Sequence, residues 1–339
     1  MNETKIISDS KDDLLYAAKL IKEGFVVGIP TETVYGLGAD AENENAVSQI
    51  FKAKGRPSDN PLIVHICNMD MLENIACNIP SLAYKIAEKF WPGAITMILP
   101  KKDNIPYITS GGLETVGVRM PSSECAREII RLSGRPIAAP SANRSGYPSP
   151  TSAMHVYKDM NGRIPLIVDG GECTVGVEST VISFDDDDTV RILRPGYITA
   201  EQLSEIAQNV IIDKAVTSEL KAGQKAASPG MKYKHYSPKA DVVIIDADND
   251  RFYDFALSNA GDNVYFLVFS DDIEHMQSEN VLSYGGNSTE QAHNLFAYLR
   301  RLDDEGAEKI YVRMPEKNGI GLAVYNRLVR AAGFEVLSL

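Results

Sequence analysis

Cysteine is scarce: four residues in 339, at positions 67, 77, 125 and 173, with no C-x-x-C pair among them. That spacing supports neither a disulfide framework nor a structural zinc site, and it suits a reducing compartment. The five histidines, at 65, 155, 235, 275 and 293, are too dispersed for a metal motif. Long apolar runs are absent too. No stretch approaches the ~20 residues that span a bilayer, and the opening MNETKIISDSKDD has no apolar signal core. A cytoplasmic protein without a membrane partner is expected. Positive charge is in deficit, with 34 Lys+Arg against 46 Asp+Glu and a net charge of -12. Both halves are acidic, so no long basic face is available to grip a duplex through its phosphates. Three motifs are also missing. Without G-x-x-x-x-G-K-[ST] there is no P-loop, without a strand-borne G-x-G-x-x-G a standard dinucleotide fold lacks support, and without G-x-S-x-G a hydrolase reading weakens.

What is present is an ordinary globular composition, 44% hydrophobic and 24% charged, in a chain long enough for two domains. Apolar residues at helical spacing from Asp12 to Lys22 follow a Ser-Asp start and stop at Gly24. Short apolar strands are predicted near 25–29, 62–66, 95–99, 116–120, 137–139, 166–168 and 177–183, with helices near 46–53, 81–90 and 123–133. The mixture is irregular and predicts an α/β or α+β domain over residues 1–208 around a twisted sheet. Residues 209–239 form a linker candidate containing PGMKYKHYSP. Residues 240–339 alternate strand and helix, which predicts a smaller three-layer α/β, Rossmann-like domain. The acidic run Asp185–Asp188 is placed in a solvated hairpin loop.

Four clusters offer chemistry. IPTETVYGLGAD, 29–40, ends a strand in Thr31, Glu32 and Thr33; it reads either as a ligand loop or as a turn capping a helix. KAKGRPSDNPLIVH, 52–65, sets Lys54 and Arg56 two apart. In an extended segment they point the same way and suit phosphate; at a helix end they simply answer the helix dipole. His65 closes the strand that follows, where a core histidine is equally admissible. IAAPSANRSGYPSPT, 137–151, runs an apolar strand into Ser141 and Asn143, which suit anion oxygens or turn chemistry. Finally GVESTVI, RMP and RILRPG place Ser179, Arg119 and Arg194 beside buried strands, where each arginine needs an anionic partner.

In order, PTETVYGLG, KGRP, NPLIVH, WPGAITMIL, VRMP, APSAN, GVEST and LRPG resemble the YrdC family. The tail with PGMKYKHYSP and a further α/β domain resembles its long two-domain form. The resemblance implies a YrdC-like twisted sheet with a concave basic face. It also implies L-threonylcarbamoyladenylate synthase activity: L-threonine, bicarbonate or CO2, and ATP give L-threonylcarbamoyl-AMP and pyrophosphate. That product serves a tRNA threonylcarbamoyl transferase complex, which modifies adenosine next to the anticodon; direct tRNA binding is expected to be weak or absent. Carried onto this sequence, the resemblance makes Lys54, Arg56, Ser141 and Asn143 catalytic. It gives ATP the same four residues with Ser58, Thr115, Ser149, Arg194 and Tyr233. Threonine is given Thr31, His65, Arg119, Ala139 and Ser179. Mg2+ comes with the nucleotide, with no protein ligand. Tyr233, His235 or Tyr236 is expected to close over the nucleotide. The rival readings are a double-stranded RNA-binding module, a nucleotide sensor, and a carbamoyl-phosphate enzyme of the hydrogenase-maturation type, the last lacking its cysteine pairs here.

Overall fold

The computed structural model describes residues 3–58, 60–216, 236–276 and 280–339. It divides into two units. The first takes in Met1–Ser145, Ser149–Thr174 and Glu178–Lys232; the second takes in Gly146–Pro148, Val175–Val177 and Tyr233–Leu339. Among the described residues no helix is long and apolar enough to cross a membrane.

The first unit is built on an eleven-stranded sheet. Its strands are β1 (Lys5–Ile7), β2 (Val27–Ile29), β3 (Gly36–Asp40), β4 (Ile63–His65), β5 (Ile95–Pro100), β6 (Thr115–Arg119), β7 (Ile137–Ala138), β8 (Leu166–Val168), β9 (Thr180–Phe184), β10 (Thr189–Arg194) and β11 (Asn209–Ile212). Their spatial order is β1-β8-β2-β3-β7-β4-β6-β5-β9-β10-β11. Parallel and antiparallel pairs mix: β4 runs parallel to β6, while β7 runs antiparallel to β4. The central strands are buried on both faces, which is why they read as short continuous apolar runs.

Local chemistry fixes the helices that cover this sheet. Helix Lys11–Lys22 starts where the Ser10 side chain accepts the Asp13 N–H, carries Asp12 and Asp13 in its first turn, and ends with Lys19 and Lys22 in its last. It lays Leu14, Ala17, Leu20 and Ile21 against Ile129 and Ile130 of helix Glu124–Ser133, over Val27, Ile29, Leu166 and Val168 of the sheet. Each large aliphatic side chain buried this way contributes roughly 1.5–3 kcal/mol. Helix Glu44–Lys54 begins on the Asn43 side chain and ends at Gly55, which is left-handed with φ 65. The N–H of Arg56 then returns to the Phe51 carbonyl and that of Gly55 to Lys52, the hydrogen-bond pattern of a helix stopped by a glycine.

Several expectations are corrected here. Lys54 and Arg56 do not lie in an extended segment: Lys54 is the last residue of a helix, and the helix-end reading of KGRP is the one observed. PTETVYGLGAD caps no helix; its turn leads into β3. The strand predicted at 177–183 begins only at Thr180. The Asp185–Asp188 run does form the exposed tip between antiparallel β9 and β10.

The second unit carries a wholly parallel sheet of β12 (Asp241–Asp246), β13 (Val264–Phe269), β14 (Val281–Gly285), β15 (Lys309–Arg313) and β16 (Val336–Ser338), in the order β14-β13-β15-β12-β16. Phe252 and Ala256 of helix Asn249–Ser258 pack with Val243, Ile245, Phe266, Val268 and Tyr311 on one face. Their strand neighbours Ile244, Leu267, Ile310 and Val312 are equally buried and point the other way.

Candidate active site

The first unit gathers polar side chains at the ends of strands β2, β4 and β6. His65 and Arg119 are register partners where β4 and β6 end side by side. Arg119 is buried, with an oxygen close to each nitrogen of its guanidinium. Nη1 donates to Thr33 Oγ1 at 2.9 Å and Nε to the Gly93 carbonyl at 3.2 Å, while Nη2 lies 2.7 Å from Glu32 Oε1. The anionic partner that a buried arginine requires is therefore Glu32. Burial pushes the Glu32 carboxyl up, but the Arg119 charge, with help from the Ser122 N–H, holds it below the usual carboxylate range. His65 is buried beside this pair, and burial together with the Arg119 charge pulls its imidazole down to about 3. It is a neutral ring at physiological pH, a hydrogen-bonding group and not a charge.

Thr31 closes the turn after β2. Its hydroxyl donates to the Val34 carbonyl at 2.6 Å, lies 2.9 Å from Thr33 Oγ1, and accepts the N–H groups of Thr33 and Val34. Cys173 stands nearby, with burial and the Glu32 charge pushing its thiol up. Ala139 is buried in the wall behind, its N–H on the Ile63 carbonyl. Further along the sheet Ser179 meets Thr96 Oγ1 at 2.8 Å, while Arg194 donates Nε to the Ser179 carbonyl at 3.1 Å and Nη2 to its hydroxyl at 3.2 Å.

The expected phosphate cluster is assembled differently. The Lys54 ammonium turns inward, donating to the Ser141 carbonyl, to the Asn143 carbonyl at 2.7 Å and to Asn143 Oδ1 at 3.5 Å. Asn143 Nδ2 donates to the Arg144 carbonyl at 2.8 Å, and the Lys54 carbonyl accepts the Ser145 N–H. Lys54, Ser141 and Asn143 are thus one joined unit in which the lysine ties down the loop after β7. Ser149 is buried with its hydroxyl on the Glu178 carboxylate. Arg56 is half-buried and Ser58 exposed. Thr115 opens β6, four residues before Arg119 and so about 13 Å from it along the strand. Tyr233 and His235 lie outside the described residues. Tyr236 is described: it is buried, and its ring rests 5.2 Å from that of Phe296.

Sequence reasoning gives several members no individual role. Glu32 and Thr33 stand inside PTETVYGLG with no role of their own. Thr96 shows as a lone hydroxyl in an apolar strand. Gly196 has a packing reason: a Cβ there would sit 2.2 Å from the Thr180 nitrogen and 2.6 Å from the Ser179 carbonyl carbon. LRPG is therefore the point where backbone closes on backbone behind Ser179.

Residues 19–196 match the Sua5/YciO/YrdC family model, described as "Telomere recombination", and residues 198–333 match one described as "Threonylcarbamoyl-AMP synthase, C-terminal domain". The chain belongs to the two-domain threonylcarbamoyl-AMP synthase family. It is 44% identical to a threonylcarbamoyl-AMP synthase of Pyrococcus abyssi, covering 95% of each chain. It is 43% identical to one from Bacillus subtilis over 98% of this chain and 97% of that one. A crystal structure of the P. abyssi protein complexed with L-threonine superposes with TM-score 0.92 at 43% identity, covering 99% of this chain and all of the other. The YciO protein of E. coli, at 21% identity and TM-score 0.50 over 58% of this chain and 96% of that one, shares the fold of the first unit. The resemblance seen in the motif series, and with it the mixed α/β fold, is borne out.

Proposed function

We propose that this chain joins L-threonine, bicarbonate-derived CO2 and ATP into L-threonylcarbamoyl-AMP, releasing pyrophosphate, in the first unit. The observation that carries the site assignment is the buried Glu32–Arg119–Thr33–His65 cluster at neighbouring strand ends. Arg119 is the group for the threonine carboxylate, since its guanidinium can grip two oxygens at once. Neutral His65, with Thr31 and Ser179, reads the threonine hydroxyl. A site that hydrogen-bonds a hydroxyl rejects an analogue lacking it by up to about 10⁴–10⁵-fold.

The reaction has two bond-forming stages. The threonine nitrogen, stripped of a proton, attacks CO2 and becomes a carbamate. A carbamate oxygen then attacks the α-phosphorus of ATP; the new O–P bond forms as the α–β bridge breaks and pyrophosphate departs. All the partners are anionic, so placement and charge stabilisation supply most of the acceleration. The Lys54-braced loop bearing Ser141 and Asn143, with Arg56, Ser58, Ser149 and Arg194, frames the nucleotide, and Thr115 marks the far end of its span. Among the described residues no three carboxylate, imidazole or thiolate groups stand together as a metal site. Mg2+ would come with ATP and screen its triphosphate charge. The adenylate goes on to a transferase that modifies tRNA adenosine.

The test is pyrophosphate release from ATP with bicarbonate and each amino acid in turn. Release that needs threonine, and is not supported by valine or serine, is expected. Release independent of the amino acid would overturn the assignment, and salt-sensitive RNA binding in its place would favour an RNA-binding module.

A further inference from the structure

The pairing of Glu32 with Arg119 is close but poorly hydrogen-bonded. Arg119 Nη2 approaches Glu32 Oε1 to 2.7 Å. By strict geometry neither Nη2 nor either carboxylate oxygen completes a hydrogen bond among the described residues, although the Arg119 guanidinium and the Ser122 and Glu32 N–H groups lie close enough to favour the ionised acid. A buried ion pair offsets its desolvation only when its hydrogen bonds are well matched. His65 Nδ1 is buried beside it and is likewise unmatched. His65 is the register partner of Arg119, and Arg119 lies against Glu32, so these three meet at one strand end, with Cys173 close enough to feel the Glu32 charge. Several unmatched polar atoms buried together mark a place shaped for a ligand.

Free threonine, the substrate in the proposed function on which this step rests, is a zwitterion, with a carboxylate and an ammonium on one carbon. Glu32 and Arg119 present the complementary two charges. We propose that threonine enters by exchanging ion pairs, its carboxylate taking Arg119 and its ammonium taking Glu32, and that Glu32 is the general base that removes the ammonium proton. One N–H bond breaks, its electron pair stays on nitrogen, and the proton moves to a Glu32 oxygen. That pair then forms the N–C bond to CO2. The second proton, shed as the carbamate forms, is consumed in dehydrating bicarbonate to CO2 and water. Glu32 returns its own proton to solvent when product leaves.

The electrostatics explain how an acid held ionised becomes a base on demand. Two opposed causes set Glu32: burial raises its carboxyl, and the Arg119 charge, with the Ser122 and Glu32 N–H groups, lowers it. A threonine carboxylate on Arg119 cancels the guanidinium charge, and the threonine ammonium takes its place beside Glu32; as that ammonium gives up its proton no cation is left to hold Glu32 ionised, and burial favours the protonated acid. The other groups facing Glu32 add no competing charge: His65 is neutral, and burial keeps the Cys173 thiol protonated.

Two measurements test this. The first uses unaltered protein and 2,3-dihydroxybutanoate, which is threonine with its ammonium replaced by hydroxyl. Its carboxylate displaces Glu32 from Arg119 but offers no cation in return. Calorimetry at pH 7 in two buffers of different ionisation enthalpy should show uptake of about one proton with this analogue and none with threonine. Binding of the analogue without proton uptake overturns the exchange. The second uses Glu32→Gln. Pyrophosphate release from threonine at pH 7 should fall about 10²–10⁴-fold and recover with a slope of about one in log rate against pH. The reverse reaction, ATP formation from threonylcarbamoyl-AMP and pyrophosphate, involves no ammonium and should fall far less. Equal losses in both directions would reduce Glu32 to a positioning residue. Failure of the threonine reading looks different, since unaltered protein would then release no pyrophosphate with threonine.

Discussion

Replacing Lys54 by methionine keeps the length and apolar stem of the side chain and removes only the ammonium. The family resemblance makes Lys54 a phosphate-binding charge, and its loss should then abolish adenylate formation while sparing the fold. The structure leads to a different outcome. Lys54 is 3% exposed, and its ammonium donates to the carbonyls of Ser141 and Asn143. Two charge-assisted hydrogen bonds at roughly 1.5–3 kcal/mol each, partly relieved by loop movement, give a destabilisation of about 3–5 kcal/mol. The assay is urea unfolding followed by fluorescence. The chain has a single tryptophan, Trp91, which lies in the first unit at 8% exposure and so reports on that unit alone. With a urea dependence of about 2–3 kcal/mol per molar, the midpoint should fall by about 1–2 M. Nucleotide and threonine binding should weaken together, because the loop after β7 loses its tie. An unchanged midpoint with ATP affinity alone abolished would refute the reasoning and return Lys54 to the role of a free charge.

Gly196→Ala forces a Cβ to within 2.2 Å of the Thr180 nitrogen. The start of β9 must shift, and the same fluorescence assay should show a loss above about 3 kcal/mol. Arg119→Lys keeps the charge but cannot reproduce the contacts to both Thr33 and Gly93. The threonine KM should rise at least about tenfold while the ATP KM stays within about threefold, and equal changes would remove the carboxylate role. His65 titrates near 6.5 when unfolded and is drawn down to about 3 by burial and the Arg119 charge. Its stabilising contribution is complete above pH 6.5 and is lost as pH falls toward 3, because the unfolded chain binds the proton first. His65→Gln should therefore flatten the dependence of unfolding free energy on pH across that window, measured by urea titrations at several pH values.

The elements that sequence locates best are those whose signal is local. Helix Ser81–Phe90 follows a clean apolar period, and Lys11–Lys22 carries its own start and stop residues. Strand β3 reads as a loop because Gly36 and Gly38 are poor strand formers. Their reason lies across the sheet: a Cβ at Gly36 would press on Ala139, and one at Gly38 on Ile137 and Ile29. At the candidate site, sequence offers residues and not the bonds between them. Sequence places Arg119 beside a buried strand and shows that it needs an anion, yet nothing local names Glu32, 87 positions earlier, as that anion. Lys54 passes for an outward charge when its i, i+2 spacing to Arg56 is taken as extended, whereas Gly55 stops a helix there. Which acceptors a side chain finds is decided by topology, and short spacing rules do not contain it.

That topology also sets when the site can exist during synthesis. Thr33 waits for Arg119, 86 residues later, and Thr96 waits for Ser179, 83 residues later. β5 must pair with β9, so the apolar run Ile95–Pro100 has one unsatisfied edge until Thr180–Phe184 has been made. At roughly 5–20 residues per second, synthesis from Glu32 to Arg194 takes on the order of 10–30 s. Through that interval the growing chain presents an open, sticky strand and a half-built pocket. A chain stopped short of Thr180 contains Glu32, His65 and Arg119 without the β5–β9 pairing that completes the sheet around them.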